Sequence, residues 1–146
     1  MSGQEITVGN VCPGAVISKM SKQPKILFVE DSIFFRKAVT QTLTNEGFEV
    51  QTAATGEEAL QRAQNETPDM ILLDMMLPRL DGMMVLRILR SGEKTRNIPV
   101  IVLSGNAMER DRATAQKLGI SHYFRKDASP ITELVTTMRA MLGVVA

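Results

Sequence analysis

The chain has 146 residues, 44% of them hydrophobic and 23% charged. Seventeen Lys and Arg stand against 16 Asp and Glu, a formal charge of +1. This length and balance suit one domain with a real core, exclude a disordered polyelectrolyte, and argue against a protein whose main business is holding nucleic acid.

The first residues differ from the rest. Gly3, Gly9, Pro13, Gly14 and Pro24 break every period, so residues 1–23 read as a flexible N-terminal tail. They lack a charged segment followed by an apolar one, so no signal peptide is expected. Cys12, the single cysteine, has no internal disulfide partner, and a reducing, cytoplasmic setting is the expectation. No apolar stretch reaches the roughly 18–20 residues of a membrane helix. Ten Met and no Trp point to adaptable packing.

From Lys25 the pattern changes. Ile26-Leu27-Phe28-Val29, Met70-Ile71-Leu72-Leu73 and Val100-Ile101-Val102-Leu103 are short continuous apolar runs. Such runs suit strands buried on both faces, as in a parallel sheet. Phe48-Glu49-Val50 and His122-Tyr123-Phe124 are weaker strand candidates, nearer the edges. Between them lie helical patterns. Phe35, Val39 and Leu43 form one stripe, closed by Gly47. Thr55-Gly56-Glu57-Glu58 has capping-box spacing, followed by Ala59, Leu60 and Ala63. Gly82 to Arg90 carries Met83, Leu86 and Leu89. Ala107 to Leu118 is a polar helix closed by Gly119. Ser129-Pro130 predicts a cap followed by proline at the first helical position, with Ile131, Leu134, Val135, Met138 and Leu142 behind it. The order is therefore βα repeated five times, an α/β fold with right-handed crossovers and helices on both faces of a parallel sheet. No second domain is expected after the fifth helix.

In open α/β sheets, ligands bind beyond the carboxyl ends of the strands. The first strand delivers Glu30 and Asp31 there, the third Asp74, the fourth Ser104, and the fifth, three residues past Tyr123, Lys126. If strands one and three are neighbours, three carboxylates converge. Their repulsion is relieved by a bound cation or by raised pKa values. Oxygen-only donors favour a hard ion such as Mg²⁺. A carboxylate beside Mg²⁺ is a competent nucleophile toward phosphorus, with a lysine and a hydroxyl for the phosphoryl oxygens. Asp74, Lys126 and Ser104 fit those roles.

These residues resemble the receiver domain of two-component response regulators, of the chemotaxis-regulator type. The resemblance covers residues 24–146. It rests on Val29-Glu30-Asp31, on Asp69 to Pro78 with Asp81-Gly82, on Pro99 to Gly105, and on the Tyr123-to-Lys126 spacing. It implies a doubly wound, flavodoxin-like five-stranded sheet of order 2-1-3-4-5. It implies Asp74 as phosphoacceptor, with Mg²⁺ held by Asp31, Asp74 and the backbone carbonyl of Met76, and by Glu30 directly or through water. Lys126 would contact the phosphoryl group, Ser104 would swing toward it, and Tyr123 would move inward behind it. The implied partners are a sensor histidine kinase or phosphotransfer domain and a downstream effector protein. Direct nucleic-acid or membrane binding is not implied, and a phosphorylation-dependent dimer is a further outcome of this kind.

Three departures stand out. Glu30 replaces the more frequent Asp. Asp127 follows Lys126 where the family usually has a cis proline. A cis bond to a non-proline residue costs about 2.5–4 kcal/mol, so a trans bond is expected. Met76 and Asn106 occupy the positions that tune dephosphorylation. A thioether cannot orient an attacking water, so self-dephosphorylation is expected to be slow.

The plainer readings are a helix cap for Asp31, packing for Tyr123, a surface position for His122 and packing for the methionine pairs. Arg79, Arg87, Arg90, Lys94 and Arg96 then form a solvated face. Among function classes, an Asp-nucleophile phosphatase would carry a second Asp two residues after the nucleophile, where Met76 stands. The chain is therefore read as a phosphoacceptor rather than an enzyme. A flavin module would need a glycine- and hydroxyl-rich loop in place of Ser32-Ile33-Phe34-Phe35. The remaining alternatives are a degenerate receiver serving as a binding platform, and a receiver fragment of a larger hybrid kinase or transcription regulator.

Overall fold

The computed structural model describes residues 23–105 and 109–143. The readings of the tail, of Cys12 and of Asn106 lie outside them. Strands and helices alternate as β1 (Lys25–Val29), α1 (Ile33–Asn45), β2 (Glu49–Ala53), α2 (Gly56–Glu66), β3 (Met70–Asp74), α3 (Gly82–Ser91), β4 (Val100–Ser104), α4 (Glu109–Lys117), β5 (His122–Arg125) and α5 (Ile131–Leu142). The five strands form one parallel sheet of order β2-β1-β3-β4-β5.

The alternation of side chains across the sheet builds two cores. Ile26, Phe28, Met70, Leu72, Ile101, Leu103 and Phe124 face α1 and α5, where Val39, Leu43, Leu134 and Met138 meet them. Leu27, Val29, Ile71, Leu73, Val100 and Val102 face the other way, against Ala59, Ala63, Val85, Leu86, Leu89 and Ala115 of α2, α3 and α4. Burial on both sides explains why these strands read as unbroken apolar runs.

The helix starts are set by short polar side chains. Ser32 accepts from the Phe35 amide at 3.4 Å, so the cap of α1 is Ser32 and not Asp31. Thr55 accepts from Glu58 N at 3.1 Å, and Glu58 Oε1 accepts from Ala54 N at 2.9 Å, closing the box one residue further back. Asp81 caps α3 through Met84 N at 2.9 Å. For α5 the expected cap is corrected. Pro130 itself is the cap residue and makes no side-chain bond, while the Ser129 amide donates to Arg125 O at 3.0 Å, closing the turn after β5.

The basic stretch also departs from a purely solvated face. Arg90 is half-buried, and its guanidinium donates to Leu118 O, Ile98 O, Gly119 O and Arg96 O at 2.7, 2.9, 3.1 and 3.2 Å. It clamps the chain ahead of β4 to the chain ahead of β5. Buried Thr95 adds a 2.6 Å bond to Leu89 O beside it.

Candidate functional site

The register brings the carboxyl ends of the central strands level. Val29 stands beside Leu73, Asp74 beside Leu103, and Ser104 beside Arg125. Each strand therefore hands its next polar residue to the same crevice, between β1 and β3 and toward β4, where the winding direction reverses.

Four of the expected residues meet there. Carboxylate oxygens of Glu30, Asp31 and Asp74 all lie within 4.8 Å of one another. Glu30 and Asp74 are 1% and 2% exposed, whereas Asp31 opens to solvent. Lys126 reaches in from the end of β5, its Nζ 2.5 Å from Glu30 Oε1 and 3.4 Å from Asp74 Oδ1. The lysine thus serves as an internal counterion to the buried pair.

Backbone donors complete the arrangement. Glu30 Oε2 accepts from Ser32 N at 3.1 Å, and Asp74 Oδ1 accepts from Met76 N at 3.0 Å. Arg36 donates to the Glu30 carbonyl at 2.9 Å and holds the β1–α1 turn. Burial pushes the Glu30 carboxyl above its ordinary value of 4.5. The Lys126 bond pulls it back in part, and the nearby Asp74 charge adds to the rise.

Ser104 is buried at the end of β4, and its carbonyl accepts from the Lys126 amide at 2.9 Å. Tyr123 lies one level deeper, paired with Val102. It is half-buried against the α2–α3–α4 core, with the Arg112 guanidinium 5.4 Å from its ring centroid. Met76 is 69% exposed beside the crevice. No cis peptide occurs among the described residues, so Lys126-Asp127 is trans. Asp127 pairs instead with Arg125 at 3.1 Å.

Two contributors were missed by sequence reasoning. The aromatic ring of Phe35 lies under Lys126, the Nζ 4.6 Å from its centroid. Its place in the apolar stripe of α1 gave no sign of a polar neighbour. Gly56 lets α2 approach the β3–α3 loop, since a Cβ there would lie 2.7 Å from Leu80 O. It read only as part of a capping box.

The donor set suits a small hard cation. It is all oxygen, one carboxylate faces solvent, and the buried pair already needs positive charge. A carboxylate oxygen set within reach of an ammonium is also suited to covalent chemistry at phosphorus.

The comparisons agree with this geometry. The response regulator receiver domain family model matches residues 26–139. A probable transcriptional regulator, ycf27 of Cyanophora paradoxa, is 42% identical over 118 residues, which are 81% of this chain and 48% of that protein. The chain spans about half the length of the curated relatives it matches. A CheY-like receiver domain protein from Methanospirillum hungatei superposes with a TM-score of 0.78 at 25% identity, over 84% of this chain and 95% of that one. The receiver domain of the sensor histidine kinase PA1611 from Pseudomonas aeruginosa, solved with magnesium in its active-site cleft, gives 0.76 at 31% identity, over 84% and 99%. The fold, the strand order and the family match converge: the chain belongs to the response regulator receiver domain family of two-component signalling.

Proposed function

We propose that the chain is a phosphorylation-dependent signalling switch whose acceptor is Asp74. The observation that carries this reading is the buried Asp74 carboxylate with Lys126 Nζ 3.4 Å away and two further carboxylates beside it. A histidine kinase or phosphotransfer domain would supply the group. The phosphorus–nitrogen bond to the donor imidazole breaks as a phosphorus–oxygen bond to Asp74 forms, and the imidazole leaves with a proton from solvent.

Asp31, Asp74 and the Met76 carbonyl would hold Mg²⁺, with Glu30 joining directly or through water. That ion, when bound, neutralises charge on the transferring oxygens. Lys126 binds a phosphoryl oxygen through its ammonium, and Ser104 offers a hydroxyl to another. Drawing Ser104 inward leaves room for Tyr123 to follow, which would alter the face formed by α4, β5 and α5. Ile33, Phe34 and Met76 are exposed beside the crevice and would meet the donor protein. Residues 24–146 would form the receiver unit and residues 1–23 a tail. Among the described residues no helix is long and apolar enough to cross a membrane.

The test is intact-protein mass after incubation with acetyl phosphate, with and without Mg²⁺, for wild type and Asp74→Ala. A Mg²⁺-dependent gain of one phosphoryl group, absent in the variant, is expected. No gain in folded wild type would favour a phosphorylation-independent binding platform.

A second reading concerns the whole protein. Matched relatives named as transcriptional regulators are about twice as long as the matched region. The size of the native protein on an immunoblot of its source cells tests this. A band near 16.1 kDa points to a single-domain switch, and a much larger one to a receiver within a longer regulator.

A further inference from the structure

We propose that Phe35 is a positioning residue for Lys126, holding its ammonium where a phosphoryl group on Asp74 would form. The proposal deepens the acceptor reading above and rests on it. Lysine is a point charge on a flexible four-carbon stem. Three carboxylates lie in the crevice, so charge attraction alone leaves several resting places for Nζ. Two contacts select one. Glu30 Oε1 takes a hydrogen bond from Nζ at 2.5 Å, and the Phe35 ring lies 4.6 Å below it.

The ring differs from another carboxylate in its chemistry. Its face attracts a cation through the ring quadrupole but neither neutralises it nor accepts its strong hydrogen bonds. The ammonium therefore keeps charge and donors for an incoming oxyanion beside Asp74. Methylene or methyl groups in that place would desolvate Nζ without attraction.

The ring is itself held. Phe35 meets Phe28 edge-on, with centroids 6.2 Å apart and planes at 63°. Phe28 is fully buried in β1. The same strand leads into Glu30, whose Oε2 binds Ser32 N at the start of α1. Carboxylate and ring are therefore placed by one β1–α1 turn, and together they receive a side chain from the far end of the chain.

The experiment compares wild type, Phe35→Leu and Phe35→Tyr with selective lysine labelling. Protons above an aromatic face resonate upfield, so the Lys126 ε-methylene signal, assigned by its loss in Lys126→Arg, is expected upfield of other lysines. It should move back in Phe35→Leu and stay in Phe35→Tyr. This readout needs neither Mg²⁺ nor phosphoryl donor. In parallel, affinity for beryllium fluoride in Mg²⁺ is expected to fall about fivefold in Phe35→Leu, the scale of one cation–π contact. Phe35→Tyr should retain it. An ordinary Lys126 shift in wild type, or wild-type beryllium fluoride affinity in Phe35→Leu even with lowered stability, overturns the role of Phe35. Failure of wild type to bind beryllium fluoride, or binding retained by Asp74→Ala, overturns the acceptor reading and the positioning role with it.

Discussion

The backbone of Gly82 presses against the carbonyl oxygen of Asp74: a Cβ at Gly82 would lie 2.5 Å from it and 2.5 Å from Met75 Cα. Both neighbours are backbone, so neither swings aside. The Gly82 amide also donates to the Met75 carbonyl at 3.2 Å, tying the start of α3 to the acidic end of β3. Gly82→Ala is expected to cost about 1–3 kcal/mol, as overpacking does in a filled interior. Urea unfolding measures it. Wild-type stability in this variant would mean that the loop yields freely.

Lys126 supplies the positive charge that the buried carboxylates need. In Lys126→Met that charge is gone, and the three acids face one another alone. Mg²⁺ affinity is expected to rise several-fold, because the ion no longer competes with an ammonium. Titration calorimetry reads this directly. Phosphoryl uptake from acetyl phosphate should fall in the same variant, so tighter metal binding and weaker acceptor function separate.

The raised Glu30 carboxyl gives stability a definite pH dependence without metal. A carboxyl held above its ordinary value of 4.5 binds more protons in the folded than in the unfolded chain. Its contribution is full below that ordinary value and is lost as pH rises through the folded-state value. Unfolding in EDTA across that window is expected to show a falling component in wild type. Glu30→Gln should lack it, and an identical slope in the two proteins would refute the assignment.

Arg90→Leu removes the donor for four backbone carbonyls at once. The loss should be about 2–3 kcal/mol, since hydrogen bonds to a charged group are among the stronger ones and the part-buried Leu118 and Ile98 carbonyls lose their donor. Arg90→Lys should recover little, because an ammonium cannot span carbonyls on two separate loops. Chemical denaturation of both variants checks this.

Met76 is exposed two residues past Asp74, and if Asp74 is the acceptor as proposed, the Met76 side chain would flank an attacking water. Its thioether gives that water nothing to orient it. Phosphorylated wild type is expected to keep its group well beyond seconds after donor removal, and Met76→Asn to lose it faster. The decay of the phosphorylated mass over time distinguishes them.

The fold was legible because burial leaves a strong imprint. β1, β3 and β4 are apolar without interruption since both their faces are covered, and their ends are marked by the first polar residue. The candidate site was legible for the same reason, as Glu30, Asp74 and Ser104 are those residues. Contacts between distant segments left less trace. Phe35 reads as a core position because the lysine above it is far away in sequence, and nothing local distinguishes the two uses. Arg90 reads as one of several surface cations, because its four acceptors are backbone groups common to every residue. The start of α5 misled for a local reason: Ser129-Pro130 has the residue types of a cap and a first helical position, but the turn that follows Lys126 takes Ser129 and leaves Pro130 at the cap.

The Arg90 clamp also gives the two ends of the sheet different sensitivities. At the amino ends of β4 and β5, cohesion rests on a permanently charged guanidinium and uncharged carbonyls, which respond to neither protons nor Mg²⁺ over the physiological range. At the carboxyl ends lie carboxylates and one ammonium, which carry titratable charge and, on the proposed reading, would also respond to Mg²⁺. The molecule is therefore anchored at one pole and adjustable at the other. Amide exchange at Ile120 and Ser121, beside the clamp, should be indifferent to Mg²⁺, while that at Met76 should slow when the ion is added.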